Sequence, residues 1–354
     1  MPSAAELRER RTRKRKKNKE EGLFPMPEIL LNVFYGVLGG FLLYYGAEFL
    51  LKGGVRIAEG MGVPPLIIGL TLVSFATSAP ELVVSVEASL EGSGDISAGN
   101  IIGSNICNIA LILGLCAMIT PLKVNSKLVR FDTPLMILVT LVFSGVYFFC
   151  GGIGRLAGAC FFLGLLTYTF YSIWRARRDP EALLEAESAV AGEEDKEKKG
   201  RPISIPVALL FVAGGLAALI FGAKVFLMCA VFFARLLEVS EAVIGLTIVA
   251  VGTSLPELST SVVAALKNQK DIAIGNVVGS NIFNILGIMG IAPLLRPIRN
   301  VGIHPVDLGM LLFCSILLLP IMRTGFVISR IEGAFLFLAY CAYTCWLVAQ
   351  AGVF

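Results

Sequence analysis

The sequence predicts an all-α polytopic membrane protein with ten transmembrane helices arranged as two inverted-topology five-helix repeats. Three observations lead to this prediction. The 354 residues are 56% hydrophobic and only 16% charged, whereas about a quarter of the residues in a typical soluble domain are charged. Long apolar runs reach the roughly 20 residues that a bilayer-spanning helix requires. A block of about 50 residues also occurs twice, in the same register.

Apolar runs bounded by charged and turn-forming residues define the ten predicted spans. They lie at 29–51, 65–90, 96–120, 132–150 and 154–174, and then at 205–234, 241–266, 272–295, 306–322 and 331–350. The predicted organisation is therefore a basic N-terminal tail (1–28), a first five-helix repeat (29–174), a hydrophilic cytoplasmic linker (175–204) and a second five-helix repeat (205–354).

The internal repeat is the strongest signal in the sequence. GLTLVSFATSAPELVVSVEASL begins at Gly69 and returns as GLTIVAVGTSLPELSTSVVAAL at Gly245, a spacing of 245 − 69 = 176 residues. DISAGNIIGSNICNI at Asp95 returns as DIAIGNVVGSNIFNI at Asp271, again 271 − 95 = 176 residues later. Because each repeat contains an odd number of spans, the second repeat must enter the membrane in the opposite orientation. Equivalent segments of inverted repeats meet near the bilayer midplane and build a site there.

Lysine and arginine residues set the predicted orientation. They are concentrated in the connections that follow the odd-numbered spans, so the positive-inside rule places these connections and the linker in the cytoplasm and both termini outside. The basic run from Arg8 to Lys19 argues for the opposite orientation, but several short connections outweigh one tail. We expect this tail to attract anionic lipid rather than nucleic acid, because it is attached to a membrane protein.

The cysteines and the single histidine argue against metal and disulfide chemistry. All eight cysteines lie in apolar runs without the spacing of a metal site, and His304 stands at the start of such a run. Zinc binding and histidine-based catalysis are therefore not expected. The sequence predicts no tightly bound cofactor and no enzyme activity.

Two carboxylates are predicted to form the centre of an ion site. Glu81 and Glu257 occupy equivalent positions of the repeats, well inside apolar spans, where an ionisable side chain is costly and usually functional. A neutral, hydrogen-bonded carboxylic acid is the structural alternative. Pro80 and Pro256 precede the two glutamates, and a proline without an amide hydrogen should kink each helix and free backbone carbonyls.

Hydroxyl and amide side chains accompany both glutamates. Helical spacing places Thr77 and Ser78 near Glu81, and the next helix adds Ser104 and Asn108. The second repeat supplies the same residue types at Thr253, Ser254, Ser280 and Asn284. This set of hard oxygen ligands suits Ca2+ and could suit Na+, but it offers no soft ligand for copper or zinc. Close helix approach around the site is expected at Gly99, Gly103, Gly275 and Gly279.

The paired motifs resemble those of a known family. GLTLVSFATSAPE with GNIIGSNICN, and GLTIVAVGTSLPE with GNVVGSNIFN, are similar to the two alpha repeats of the calcium/cation antiporter superfamily, in particular the sodium/calcium exchangers. The resemblance implies a secondary active antiporter in a plasma or inner membrane that exchanges Ca2+ for Na+ by alternating access. In this mechanism the first and sixth spans slide across a core of the other eight. The implied ligands are Glu81, Thr77, Ser78, Ser104 and Asn108, with Glu257, Thr253, Ser254, Ser280 and Asn284.

Two residues depart from the pattern of the family that the motifs resemble. Ala76 stands where the family usually has glycine, and Asn284 stands where its potassium-dependent branch carries an aspartate.

Three other functions are alternatives to Na+/Ca2+ exchange. An H+-coupled Ca2+ antiporter is the nearest alternative, because two membrane carboxylates could bind protons and calcium in turn. A passive cation channel is less favoured, since inverted repeats with interrupted helices are typical of carriers. An intramembrane hydrolase would need a catalytic pair, and apart from the two glutamates the sequence supplies none.

Overall fold

A computed structural model describes residues 26–178, 204–237, 239, 244–299 and 302–350. Its first half contains α1 (Met26–Met61), α2 (Pro65–Thr77), α3 (Ala79–Glu91), α4 (Gly94–Ile119), β1 (Leu122–Lys123), α5 (Leu128–Phe149), β2 (Gly152–Ile153) and α6 (Arg155–Ala176). Its second half contains α7 (Ile205–Leu236), α8 (244–253), α9 (Leu255–Leu266), α10 (Lys270–Leu295), β3 (Ile298–Arg299), α11 (Pro305–Arg323), β4 (Val327–Ile328) and α12 (Arg330–Gln350). Most of the predicted tail and linker lies outside these residues.

Within the described chain, eight helices are long and apolar enough to cross a membrane. They are α1, α4, α5, α6, α7, α10, α11 and α12. Helices α2 and α3 together form a ninth candidate span, bent by 47°. Helices α8 and α9 follow the same order in the second half, but α9 alone has only 12 residues. The helical, multi-pass character is therefore confirmed, whereas the count of ten spans and their inverted orientation stay predictions.

Two short antiparallel strand pairs connect the halves reciprocally. Strand β1, which follows α4, pairs with β4, which precedes α12, and Leu122 lies opposite Ile328. Strand β2 pairs with β3, and Ile153 lies opposite Ile298. The end of each half is thus hydrogen-bonded to the middle of the other, as expected for two halves related by an approximate twofold axis.

Glycines allow close helix packing between the halves at two equivalent places. A Cβ atom at Gly114 in α4 would lie 3.0 Å from the carbonyl oxygen of Gly333 in α12. A Cβ atom at Gly158 in α6 would lie 2.8 Å from the carbonyl oxygen of Gly290 in α10. These contacts place α12 against α4 and α6 against α10. The repeat therefore extends beyond the blocks that the sequence revealed.

Helices α1 and α7 pack against each other along much of their length. Small residues bring their backbones together: a Cβ atom at Gly215 would lie 2.6 Å from the backbone nitrogen of Leu50, and one at Gly46 would lie 2.9 Å from the carbonyl oxygen of Gly215. Contacts of this kind leave no room between the helices for side chains. We refer to α1 and α7 together as the α1–α7 pair.

Helices α4 and α10 form the centre of the molecule. They are the most deeply buried of the candidate spans, whereas α1, α6, α7 and α12 leave most of their surface uncovered by the protein. Most of the surface of these outer helices is apolar and is available to lipid. The polar motifs of the repeats lie on α4 and α10 and on the broken helices beside them, so the packing places these motifs inside the protein.

Candidate cation-binding site

A helix break precedes each of the two glutamates. Helix α2 ends at Thr77 and α3 begins at Ala79, with Ser78 between them at φ −81° and ψ 8°. The same interruption occurs in the second half at Ser254, with φ −86° and ψ 9°. The proline two residues after each serine, Pro80 or Pro256, has no amide hydrogen and cannot donate the hydrogen bond that would continue the helix. The predicted interruptions are therefore present in both halves.

Both glutamates are buried at the start of the helix that follows the break. Glu81 is 0% exposed and Glu257 is 1% exposed, and each lies in the first turn of its helix, α3 or α9. The first turn of a helix carries free N–H groups and a partial positive charge, so it favours a carboxylate. The local structure would thus help to stabilise a negative charge on either side chain.

Hydrogen bonds between the two halves bring four predicted ligands together. The Ser78 hydroxyl donates to Oε1 of Glu257 at 2.9 Å, and the Ser254 hydroxyl donates to Oε1 of Glu81 at 3.3 Å. Each glutamate is therefore held by a serine from the opposite half. A site built in this way requires both repeats.

The second carboxylate oxygen of each glutamate has no hydrogen-bond partner. Oε2 of Glu81 and Oε2 of Glu257 are both buried and unpartnered, and among the described residues no other carboxylate has such an atom. A buried polar atom without a partner costs about 1–3 kcal/mol, and more if it is charged. A bound cation would remove this cost at both oxygens.

Four further predicted ligands also present unpartnered, buried oxygen atoms within the part of the chain that the structure describes. These atoms are Oγ of Ser104, Oδ1 of Asn108, Oγ of Ser280 and Oδ1 of Asn284. Unpartnered hydroxyls occur elsewhere, for example at Ser144 and Tyr147, but no unpartnered carboxylate oxygen accompanies them. Six of the ten predicted ligands therefore have an oxygen available to a cation.

The two threonines lie beside the glutamates. The Thr77 hydroxyl donates to Oδ1 of Asn276 at 3.2 Å, so one of its bonds joins α2 to α10. Thr77 also neighbours Glu257, and Thr253 neighbours Glu81. All ten predicted residues lie in the interior or border on it, and both the serines and the threonines of one half neighbour the glutamate of the other.

Sequence reasoning missed several buried or partly buried amides that support the site. Asn100 donates to the Ser85 hydroxyl at 3.0 Å, and Asn276 donates to the Ser261 hydroxyl at 3.0 Å. Each of these bonds fixes a helix that carries a glutamate to the central helix beside it. Asn105 accepts a hydrogen bond from Asn284. The sequences Gly-Asn and Gly-Ser-Asn both recur 176 residues later in the second repeat. This recurrence could have identified these asparagines from the sequence.

The glycines predicted to permit close approach do so clearly in the second repeat. A Cβ atom at Gly275 would lie 3.0 Å from the carbonyl oxygen of Leu66, and one at Gly279 would lie 2.7 Å from that of Leu70. Helix α10 thus packs directly on α2. In the first repeat, a Cβ atom at Gly99 would meet only Ile303, at 3.6 Å, and one at Gly103 would meet no described atom within 4 Å.

Known proteins match most of this chain. A family model described as sodium/calcium exchanger protein matches residues 31–174 and 207–349. The sodium/calcium exchanger MaX1 of Methanosarcina acetivorans is 32% identical over an alignment of 355 positions that covers 89% of this chain and 98% of the relative. The inner membrane protein YrbG of Escherichia coli is 36% identical over 261 residues, which cover 74% of this chain and 79% of the relative.

The fold also matches that of a solved structure. The structure of the sodium-calcium exchanger NCX_Mj, soaked with zero Na+ and Ca2+, matches with a TM-score of 0.75 and 31% identity, over 90% of this chain and 99% of that one. The fold, the buried polar centre and these matches define a multi-pass integral membrane transporter and not an enzyme. The chain belongs to the sodium/calcium exchanger protein family and is a cation/Ca2+ antiporter. The resemblance of its repeated motifs to this family is thereby confirmed.

Proposed function

We propose that the chain exchanges Ca2+ for Na+ by alternating access through one central site that binds the two ions in turn. The observation that carries the proposal is the reciprocal arrangement of Glu81 and Glu257. Each is bonded to a serine of the other half and keeps one buried oxygen without a partner. Two ionised carboxylates would balance the charge of one Ca2+ or of two Na+. The site therefore suits competition between these cations.

The uncharged ligands favour Na+ over H+ as the coupling ion. A proton needs only one carboxylate oxygen, whereas a bound metal cation needs several oxygen ligands around it. Ser104, Asn108, Ser280 and Asn284 offer unpartnered oxygen atoms of this kind. H+-coupled exchange is the second candidate, because the two buried carboxylates could instead be protonated in turn.

The α1–α7 pair is the proposed moving element. Its two helices pack backbone against backbone, so they should move together. The reciprocal strand pairs, by contrast, connect α4, α5, α6, α10, α11 and α12 to one another. These helices, together with the broken spans α2–α3 and α8–α9, would form the fixed core. We also propose that the linker at 175–204 is cytoplasmic, in keeping with the distribution of lysine and arginine.

The test is Ca2+ uptake by proteoliposomes loaded in turn with Na+, with K+ or with a proton gradient. We expect uptake with an outward Na+ gradient only, and we expect it to persist when choline replaces K+ on both sides. The second expectation rests on Asn284, which is a neutral amide. With two glutamates as the charged ligands, one Ca2+ or two Na+ already balances the site, so no further cation is required.

The results of this assay distinguish Na+ coupling from H+ coupling and from a requirement for K+. Uptake driven by the proton gradient alone would favour H+ coupling, and loss of Na+-driven uptake in choline would show that K+ is required. The companion variant Asn284→Asp adds a third negative charge. We expect it to make transport sensitive to K+ or to slow the release of bound cation. An Asn284→Asp protein that matches the wild type in both respects would contradict the charge-balance argument.

A further inference from the structure

The orientation of the Asn284 amide is fixed by a residue outside the predicted ligand set. Nδ2 of Asn284 donates to Oδ1 of Asn105 at 2.9 Å, across the boundary between the halves. Both residues are buried. Oδ1 of Asn284 is left without a hydrogen-bond partner in the described chain. The amide therefore uses its nitrogen for Asn105 and keeps its oxygen available.

An amide can serve a cation only through its oxygen. Its other end carries two N–H donors, which would face a cation unfavourably if the side chain rotated. Asn105 prevents this rotation because it offers an acceptor to the nitrogen of Asn284. Asn105 is itself oriented, since its Nδ2 donates to the backbone carbonyl oxygen of Asn281 at 3.4 Å. A main-chain carbonyl thus determines which way both side chains point.

We propose that Asn105 is a positioning residue that holds the oxygen of Asn284 towards the transported cation. This inference rests on the proposed function, because it takes Asn284 as a ligand. The equivalent residue of the other repeat, Asn281, donates to the carbonyl oxygen of Val277 in its own helix at 3.0 Å. Among the described contacts it does not bond to Asn108, the counterpart of Asn284. Asn281 is therefore a matched control.

The test is equilibrium binding of Ca2+ to the purified full-length protein, with Na+ as competitor. We expect Asn105→Leu to weaken Ca2+ binding about tenfold, as the loss of one orienting hydrogen bond would, and Asn281→Leu to weaken it less than about twofold. In a double-mutant cycle, Asn105→Leu should have no further effect once Asn284→Ala is present, because the two residues would act as a unit.

The outcomes separate this inference from the function on which it rests. No Ca2+ binding by the wild-type protein would contradict the proposed function itself. Binding by the wild type with equal losses in Asn105→Leu and Asn281→Leu, or with additive losses in the cycle, would overturn the positioning role. Asn105→Ser is the second variant if the leucine variant does not fold, since a buried serine fits the space but does not reach Asn284.

A separate observation concerns an ion pair between the α1–α7 pair and the second half. Nζ of Lys267, at the end of α9, lies 2.7 Å from Oε1 of Glu48 in α1, and their side chains are 37% and 30% exposed. Helix α1 also packs along α9, whereas the equivalent helices α7 and α3, both described in full, make little contact. The α1–α7 pair therefore lies nearer to α9 than to α3.

The equivalent positions of the other repeat carry a second pair of oppositely charged residues, in which the signs of the two charges are exchanged. Lys224 in α7 occupies the position 224 − 48 = 176 residues after Glu48, and Glu91 at the end of α3 occupies the position 267 − 91 = 176 residues before Lys267. Both residues are exposed. In the described structure they form no ion pair. Because both charges are reversed together, the attraction between the two positions is retained.

We infer that Lys224 and Glu91 pair when the α1–α7 pair has moved to the α3 side. The two ion pairs would then hold the two alternate positions of the moving element, one pair in each. This inference also rests on alternating access. It predicts that the second ion pair forms only in the conformation that the present structure does not have.

Cysteine cross-linking in a cysteine-free, transport-competent background tests the inference directly. We expect disulfides both in the Glu48→Cys, Lys267→Cys protein and in the Glu91→Cys, Lys224→Cys protein, and none in a control with Glu91→Cys and Gly214→Cys. We also expect Glu91→Lys to slow exchange about two- to fivefold through like-charge repulsion. Adding Lys224→Glu should restore most of the rate.

The results distinguish an error in the ion-pair inference from an error in the proposed alternating access. If the first cysteine pair cross-links and exchange proceeds, but the second pair never cross-links, the inference is wrong. Failure of the charge-exchanged double variant to recover, with normal folding, would also contradict it. Absence of exchange in the unmodified protein would instead count against alternating access itself.

Discussion

Replacing either central glutamate by glutamine, Glu81→Gln or Glu257→Gln, is expected to abolish exchange while the protein remains folded and inserted. Glutamine has nearly the same size and keeps a carbonyl oxygen that can accept the serine hydroxyl bond. It removes one negative charge from a buried site. At 4 Å and an effective dielectric constant of 20, one unit charge contributes about 4 kcal/mol, which exceeds a hundredfold change in affinity, and the effect is larger for a divalent ion.

The measurement is Na+-driven Ca2+ uptake, with size-exclusion profile and thermal stability as tests of folding. Glu87→Gln is the matched control, because Glu87 lies in the same helix as Glu81 but is exposed. We expect this control to transport nearly normally. Near-normal Ca2+ flux in Glu81→Gln or in Glu257→Gln would remove that glutamate from the ligand set.

A valine at Gly215 is expected to separate the α1–α7 pair and to prevent assembly of a stable protein. A Cβ atom there would lie 2.6 Å from the backbone nitrogen of Leu50 and 2.7 Å from the carbonyl oxygen of Gly46. These are backbone atoms, so no change of rotamer can relieve the overlap. Overpacking of a core typically costs about 1–3 kcal/mol and occasionally more, and we expect this variant to exceed that range.

The neighbouring glycine supplies the control for this experiment. A Cβ atom at Gly214 would meet no described atom within 4 Å, so Gly214→Val places the same side chain on the other face of the same helix. We expect a large loss of folded protein and a lowered melting temperature for Gly215→Val only. Equal stability of the two variants would show that the close contact between α1 and α7 is not required.

The sequence predicted those parts of the fold and the site that depend on local chemistry. Apolar runs predicted most helices, because the length of a span follows from the thickness of the bilayer. The prolines predicted the two breaks, since a missing amide hydrogen acts within one turn. The exact pairing of Ser78 with Glu257 could not be predicted. It depends on how two distant helices meet, and nothing in either segment alone specifies that contact.

The later part of each repeat escaped detection for two physical reasons. Most of its positions contact lipid or apolar neighbours, where one apolar residue can replace another and sequence similarity is lost. The spacing also changes by one residue. Asp132 accepts a hydrogen bond from Tyr168, and Asp307 accepts one from Tyr343, so equivalent residues here lie 307 − 132 = 175 residues apart. Only the contacts show this equivalence.

The unpartnered oxygens of Glu81 and Glu257 have a consequence for how tightly the two ion fluxes are coupled. If the site were empty and both carboxylates were ionised, the carrier would have to change conformation with two uncompensated charges in its interior, at a cost of several kcal/mol for each charge. A loaded site is close to neutral and avoids this cost. If the chain works as proposed, slippage, the return of the carrier without cargo, should be slow, and Ca2+ transport should be tightly coupled to the counterflow of Na+.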